Sequence, residues 1–210
     1  MSPTRRIVQG ALIVALLSGL TGQAGATSIP ITNAGFESPA LTNGAFQQAN
    51  ILGWSGSGGV FNPTTAHFPG EAPEGQNTGF SNGQPLSQTL TIVLAANTTY
   101  TLTVLVGDRL DTAFPGYHVQ LLAGSTILSE CATCVTPQNG SFSLVTVTYS
   151  TGASDPLIGQ ALSIVLGSDG LQTNFDDVRL DAVPEPTTIA FLGSGGAVAG
   201  VAWCRRRRNS

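Results

Sequence analysis

Through its middle the chain alternates. Thr99-Tyr100-Thr101-Leu102-Thr103-Val104 sets threonines on one side and a tyrosine or aliphatic on the other, and it runs on through Leu105-Val106. A period of two is the mark of a half-buried strand. The same pattern predicts strands over 117–121, 143–149, 162–166 and 175–180, with weaker candidates over 31–37, 51–54 and 86–90. Clusters of Gly, Asn, Pro, Ser and Asp punctuate them, and no segment between residues 27 and 182 carries the 3.6-residue period of an amphipathic helix. About eight to ten short strands in one domain predict an all-β, two-sheet antiparallel sandwich of jelly-roll type.

Both ends break the pattern. Arg5 and Arg6 precede an apolar stretch, and Ala24-Gly25-Ala26 has small residues at the spacing of a cleavage site, so residues 1–26 read as a signal peptide with a helical core. At the other end Pro184-Glu185-Pro186 precedes an uncharged run, 187–204, and then Arg205, Arg206, Arg207 and Arg208. As a helix that run reaches roughly 27 Å, enough to cross a bilayer core, and the arginines hold its far end in the cytoplasm. The order of motif, span and basic cluster over 183–210 resembles the PEP-CTERM sorting signal of exopolysaccharide-producing Gram-negative bacteria. That resemblance implies transient inner-membrane anchoring, processing by an exosortase, and delivery to the cell surface or extracellular matrix. The expected layout is a signal peptide (1–26), an exported sandwich (27–182) and a sorting tail (183–210).

Without its ends the composition changes meaning. Residues 27–186 hold two basic residues, Arg109 and Arg179, against twelve carboxylates, a formal net charge of −10, and the chain has no lysine. So acidic a domain does not follow a phosphate backbone, which excludes nucleic acid as partner.

Residues 55–85 form the longest stretch without strand pattern. They hold Phe61, His67, Phe68 and Phe80, with Glu71 and Glu74 nearby. Aromatic faces beside carboxylates and amides suit a sugar, whose apolar face covers a ring while its hydroxyls take polar partners. The same phenylalanines equally serve to pin a long loop to the sandwich, and Trp54 reads as core. A second resemblance runs through Asn33-Ala34-Gly35-Phe36-Glu37, Gly53-Trp54 and Phe175-Asp176-Asp177-Val178-Arg179-Leu180: these are similar to signatures of galactose-binding-like jelly rolls, which include many carbohydrate-binding modules. It implies that Glu37 lies near Asp176 and Asp177 and that a structural Ca²⁺ joins them, as hard oxygen ligands allow. The alternative is a solvated turn at Asp176-Asp177.

No Gly-x-Ser-x-Gly or His-Glu-x-x-His motif occurs, and the two histidines, His67 and His118, have no nucleophile motif beside them. Asp108-Arg109-Leu110-Asp111 and Asp176-Asp177 read as turn acids or metal ligands. Cys131 and Cys134, two residues apart in an exported domain, are expected to form a local structural disulfide. The function expected from sequence is therefore non-catalytic: a surface or matrix module binding exopolysaccharide. A purely structural surface protein is the alternative, and a glycoside hydrolase or other polysaccharide-active enzyme comes third.

Overall fold

A computed structural model describes residues 25–185. Twelve strands follow one another: β1 (Thr27–Ile29), β2 (Phe46–Gln48), β3 (Ser55–Gly56), β4 (Gly59–Phe61), β5 (Thr78–Ser81), β6 (Leu86–Val93), β7 (Thr98–Asp108), β8 (Tyr117–Ala123), β9 (Thr126–Ala132), β10 (Ser141–Ser150), β11 (Ala161–Ser168) and β12 (Thr173–Pro184). They make two antiparallel sheets. The seven-stranded sheet runs β10-β7-β12-β5-β4-β2, with β1 also on β12, and the five-stranded sheet runs β3-β6-β11-β8-β9. The all-β two-sheet expectation is met.

The alternation read in the sequence becomes the core. Tyr100, Leu102, Val104 and Val106 of β7 point inward with Phe175, Val178 and Leu180 of β12. They meet Tyr117, Val119 and Leu121 of β8, Leu162, Ile164 and Leu166 of β11, and Leu86 of β6. Each such side chain, fully withdrawn from water, contributes about 1.5–3 kcal/mol before entropy is counted. The sequence candidates over 31–37 and 51–54 are not strands. Trp54 N–H donates to Ile51 O (3.1 Å) in a turn, and Gly53 takes the left-handed φ of +80° which that turn needs. These segments read as strand-like because Ile51, Trp54 and Phe36 reach into the core from loops. Phe36 stacks on Trp54 (5.2 Å between centroids), whose indole N–H donates to Asn33 O.

β12 organises the seven-stranded sheet. It pairs with β7 along nearly all its length, with β5 over Thr173–Phe175 and with β1 over Leu180–Ala182. A register shift between Asp176 and Arg179, with Asp177 at φ +46°, breaks the strand in the middle. An unbroken strand over 175–180 would set Asp176 on the same face as Val178 and Leu180, and the bulge breaks that parity. Phe175, Val178 and Leu180 face the core, whereas Asp176 faces outward beneath the 70–77 loop.

Candidate functional site

The stretch expected to be irregular, 55–85, contains β3, β4 and β5, and two of its phenylalanines sit on strands. Phe61 of β4 and Phe80 of β5 stand on the outer face of the seven-stranded sheet, beside Phe46 and Gln48 of β2. Gly59 makes room for them: a Cβ there would run into the Phe80 ring and the Gln47 carbonyl. Together with Gly44, His67, Asn82, Arg109 and Gln172 these residues line a cavity of about 450 Å³, within the range of small-molecule sites. Phe46, at the rim, is 68 % exposed.

One wall is held by charge. Arg109 donates through Nε and Nη2 to the two carboxylate oxygens of Asp111 (2.8 and 2.6 Å) and through Nη1 to Gln172 Oε1 (2.6 Å). Its guanidinium lies 5.0 Å from the Phe61 ring centroid, a cation–π contact, and its side chain is only 13 % exposed. The guanidinium holds the Asp111 carboxyl below the usual carboxylate range. His67 meets Phe61 edge-on (4.9 Å between centroids), and its Nε2 lies 3.9 Å from Asp111 Oδ2. At the other ring nitrogen, Nδ1 accepts from the Thr64 backbone N–H (3.1 Å) and faces Thr64 Oγ1 (2.9 Å). With Nδ1 accepting from that N–H, the proton of the neutral ring sits on Nε2, the nitrogen nearer Asp111. Leu110 N–H donates to His67 O (3.0 Å), tying the two wall segments together.

The site therefore offers flat aromatic faces, a histidine able to give and take a proton, and a carboxylate placed to support an imidazolium. Beneath it, the buried Asn174 donates to Thr78 Oγ1 (2.9 Å), while its Oδ1 has no partner among the described residues.

Residues 27–181 match the HpiC1 cyclase family. The chain belongs to it. Relatives of known structure agree. One is the Stig cyclase Fisc from Fischerella sp. TAU in complex with (3Z)-3-(1-methyl-2-pyrrolidinylidene)-3H-indole, with 34% identity and a TM-score of 0.71 over 76% of this chain and 99% of that one. Another is a cyclase from Fischerella sp. TAU with bound 4-(1H-indol-3-yl)butan-2-one, with 34% identity and a TM-score of 0.70 over 77% and 100%. An arabinose-bound GH51 α-L-arabinofuranosidase shares the fold alone, with 15% identity and a TM-score of 0.51 over 79% of this chain and 27% of that one. No curated protein matches. Residues 182–208 match the PEP-CTERM protein-sorting motif, as the tail chemistry indicates. Membership of a cyclase family overturns the expectation of a non-catalytic exopolysaccharide-binding module: the family is one of enzymes. The reason for the error is physical. Neither Gly-x-Ser-x-Gly nor His-Glu-x-x-His occurs in this chain, so no contiguous motif announces the family's chemistry.

Of the residues singled out from sequence, Phe61, His67 and Phe80 come together in this cavity. Phe68 does not. It is buried and packs on Phe142 (4.4 Å between centroids), pinning the loop. Phe46, Gln48, Asn82, Arg109 and Gln172 were missed, although Arg109 carried a signal as one of only two basic residues between the termini.

The expected metal residues each have protein partners of their own. Glu37 Oε1 accepts the N–H groups of Gln76 and Asn77 (2.9 and 2.8 Å). Asp176, fully buried, accepts the N–H groups of Glu74 and Asp177 (3.0 and 2.8 Å), and Asp177 pairs with Arg179 (2.7 Å). Burial pushes the Asp176 carboxyl up to about 8; the two N–H groups oppose this, and the neighbouring Glu74 and Asp177 carboxylates add to it. Among the described residues no three His, Cys, Asp or Glu side chains converge on a metal position.

Cys131, near the end of β9, and Cys134, just beyond it, form the expected disulfide. Of the sorting motif, Pro184 ends β12 and Glu185 follows it. Pro186, the apolar run 187–204, Arg205–Arg208 and residues 1–24 of the signal segment lie outside the described residues. No helix among the described residues is long and apolar enough to cross a membrane.

Proposed function

We propose that this chain is an exported cyclase that closes a ring on a small, flat, indole-bearing substrate in the outer-face cavity, by proton transfer without net redox change. The observation that carries it is the cavity itself: Phe61 and Phe80 line it with His67 and Arg109, both of which Asp111 partners, in a chain whose cyclase relatives are seen with indole ligands. His67 Nε2 protonates the substrate's unsaturated group, and the developing cation is stabilised by the aromatic faces, whose quadrupoles attract positive charge. The electron-rich ring then attacks the cationic carbon. The proton lost on rearomatisation returns to His67. Asp111, kept ionised by Arg109, steadies the imidazolium. The test is incubation of the purified protein with indole-bearing alkenes, read by mass spectrometry. A product of unchanged mass and altered retention, lost in His67→Ala, supports the reading; undiminished turnover in that variant refutes the role of His67.

The ends support an address. Residues 1–26 act as a cleaved signal peptide, and an exosortase at the inner membrane of a Gram-negative cell removes the tail, sending the enzyme to the surface. Changing Pro184 and Glu185 to alanine strands full-length protein in the membrane, which intact-mass analysis reads directly.

A calcium ion remains part of the proposal as a structural element. The oxygen donors fit it: Glu37 and Asp176 both clasp the 74–77 segment, and the buried Asn77 Oδ1 has no partner among the described residues. Glu37, Asn77 and Asp176 would hold the ion, with backbone carbonyls and water completing six to eight oxygens. Bound there, calcium would neutralise the buried Asp176 carboxylate. Asp177, engaged with Arg179, drops out of the expected ligand set.

A further inference from the structure

The sorting motif is not a free linker. Val183 pairs with Thr99 and Pro184 with Thr98 on β7, and Glu185 N–H donates to Asn97 O (2.7 Å). β12 thus runs through Pro184, the first residue of Pro184-Glu185-Pro186, and one further backbone hydrogen bond holds Glu185.

The receiving turn is firmly built. Asn97 takes a left-handed φ of +47°. Thr98 N–H donates to Thr151 Oγ1 (2.9 Å), Thr151 Oγ1 donates to Ala95 O (2.7 Å), and Thr151 N–H donates to Thr98 O (3.0 Å). Thr98 and Thr151 are both buried. The motif's composition works in the same direction: Pro184 has a fixed φ and ends the ladder without a wasted donor, and Pro186 restricts Glu185 to extended conformations. On the other side of β12, β1 covers only Leu180–Ala182. Among the described residues the far edge of Val183–Glu185 is therefore unpaired, while the Pro184 and Glu185 side chains are exposed.

We propose that the folded domain presents its sorting motif as a preorganised strand end, and that the processing protease docks on this corner. It would read the exposed Pro184 and Glu185 side chains on this held strand end, with the Asn97–Thr151 turn as the backing. A peptide already extended spares the protease the entropy of ordering it. Sorting would then favour folded over unfolded chains.

This inference rests on the proposal that the tail is processed, and the test separates the two. In full-length protein, Gly-Ser-Gly-Ser is inserted between Val183 and Pro184, leaving domain, motif, apolar run and arginines intact; Thr151→Ala loosens the turn independently. Pulse-chase with intact-mass readout in cells carrying the processing enzyme should show processing slowed by about tenfold or more in the insertion variant, and less severely in Thr151→Ala. Processing as fast as wild type, or faster, overturns the inference. Amide exchange in the precursor gives an independent reading: a protected Glu185 N–H supports the held strand end, and exchange at the unstructured rate refutes it. If the unmodified tail is never processed, the sorting proposal fails, and amide exchange alone still judges whether the motif is held.

Discussion

Arg109→Met removes the charge that holds the cavity wall while keeping much of the stem. Three side-chain hydrogen bonds go, two to Asp111 and one to Gln172, together with the contact over Phe61. Hydrogen bonds to charged groups contribute about 1.5–3 kcal/mol each when protected from water. Asp111 is 44 % exposed, so solvent screens its share, and the expected loss is about 2–3 kcal/mol in all. The pH dependence identifies the cause. Arg109 depresses the folded-state pKa of Asp111 below the ordinary carboxylate value of 3.8. The pair's stabilisation is therefore present above that value and disappears as pH falls through the depressed folded pKa. Urea denaturation of wild type and variant at pH 7, and again well below pH 3.8, reads the gap directly. The gap should narrow in acid. A gap that stays constant would show that Arg109 acts by packing alone and would refute the ion-pair account of the wall.

Gly59→Ala forces a Cβ into the Phe80 ring and the Gln47 carbonyl. Overpacking of this kind costs about 1–3 kcal/mol, and ligand binding should fall more than stability; tight binding with an intact fold would contradict the placement of the ring. If calcium binds only the folded state, saturation at 100 times its Kd adds about 2.7 kcal/mol, so the protein should melt several degrees lower in chelator. Glu37→Gln with Asp176→Asn should erase that difference, and identical wild-type melts with and without chelator dispose of the site. Cys131 and Cys134 should resist alkylation until reductant is added, which mass spectrometry reads as a gain of two labels only after reduction.

Strands with one face in the core and one in water were legible in the sequence, and β7, β10, β11 and β12 each contain a stretch expected to be a strand. β4 and β5 were not, because the core covers one face and the 62–77 loop the other. Gly59–Phe61 and Thr78–Ser81 are buried at every position, so polar and apolar residues do not alternate. β9 failed for the opposite reason: on this edge strand four of seven residues are exposed and only Cys131 is buried. At Asp176 the period-two argument broke at the bulge, which no local pattern announces. Aromatic residues beside polar ones correctly drew notice to Phe61, His67 and Phe80. The rest of the cavity comes from Phe46, Arg109 and Gln172, far apart in sequence and joined only by the sheet order β12-β5-β4-β2. That convergence has no counterpart in any one segment of the sequence.

The central claim is that the outer-face cavity receives an indole-bearing molecule between its aromatic walls. Titration of the purified protein with 4-(1H-indol-3-yl)butan-2-one, followed by calorimetry, tests it most directly. Removing one aromatic wall costs about 1–2 kcal/mol of stacking and burial, so Phe61→Ala and Phe80→Ala should each weaken binding by about 5–30-fold. Equal affinity in wild type and both variants, with the fold intact, would place the ligand elsewhere and contradict the account.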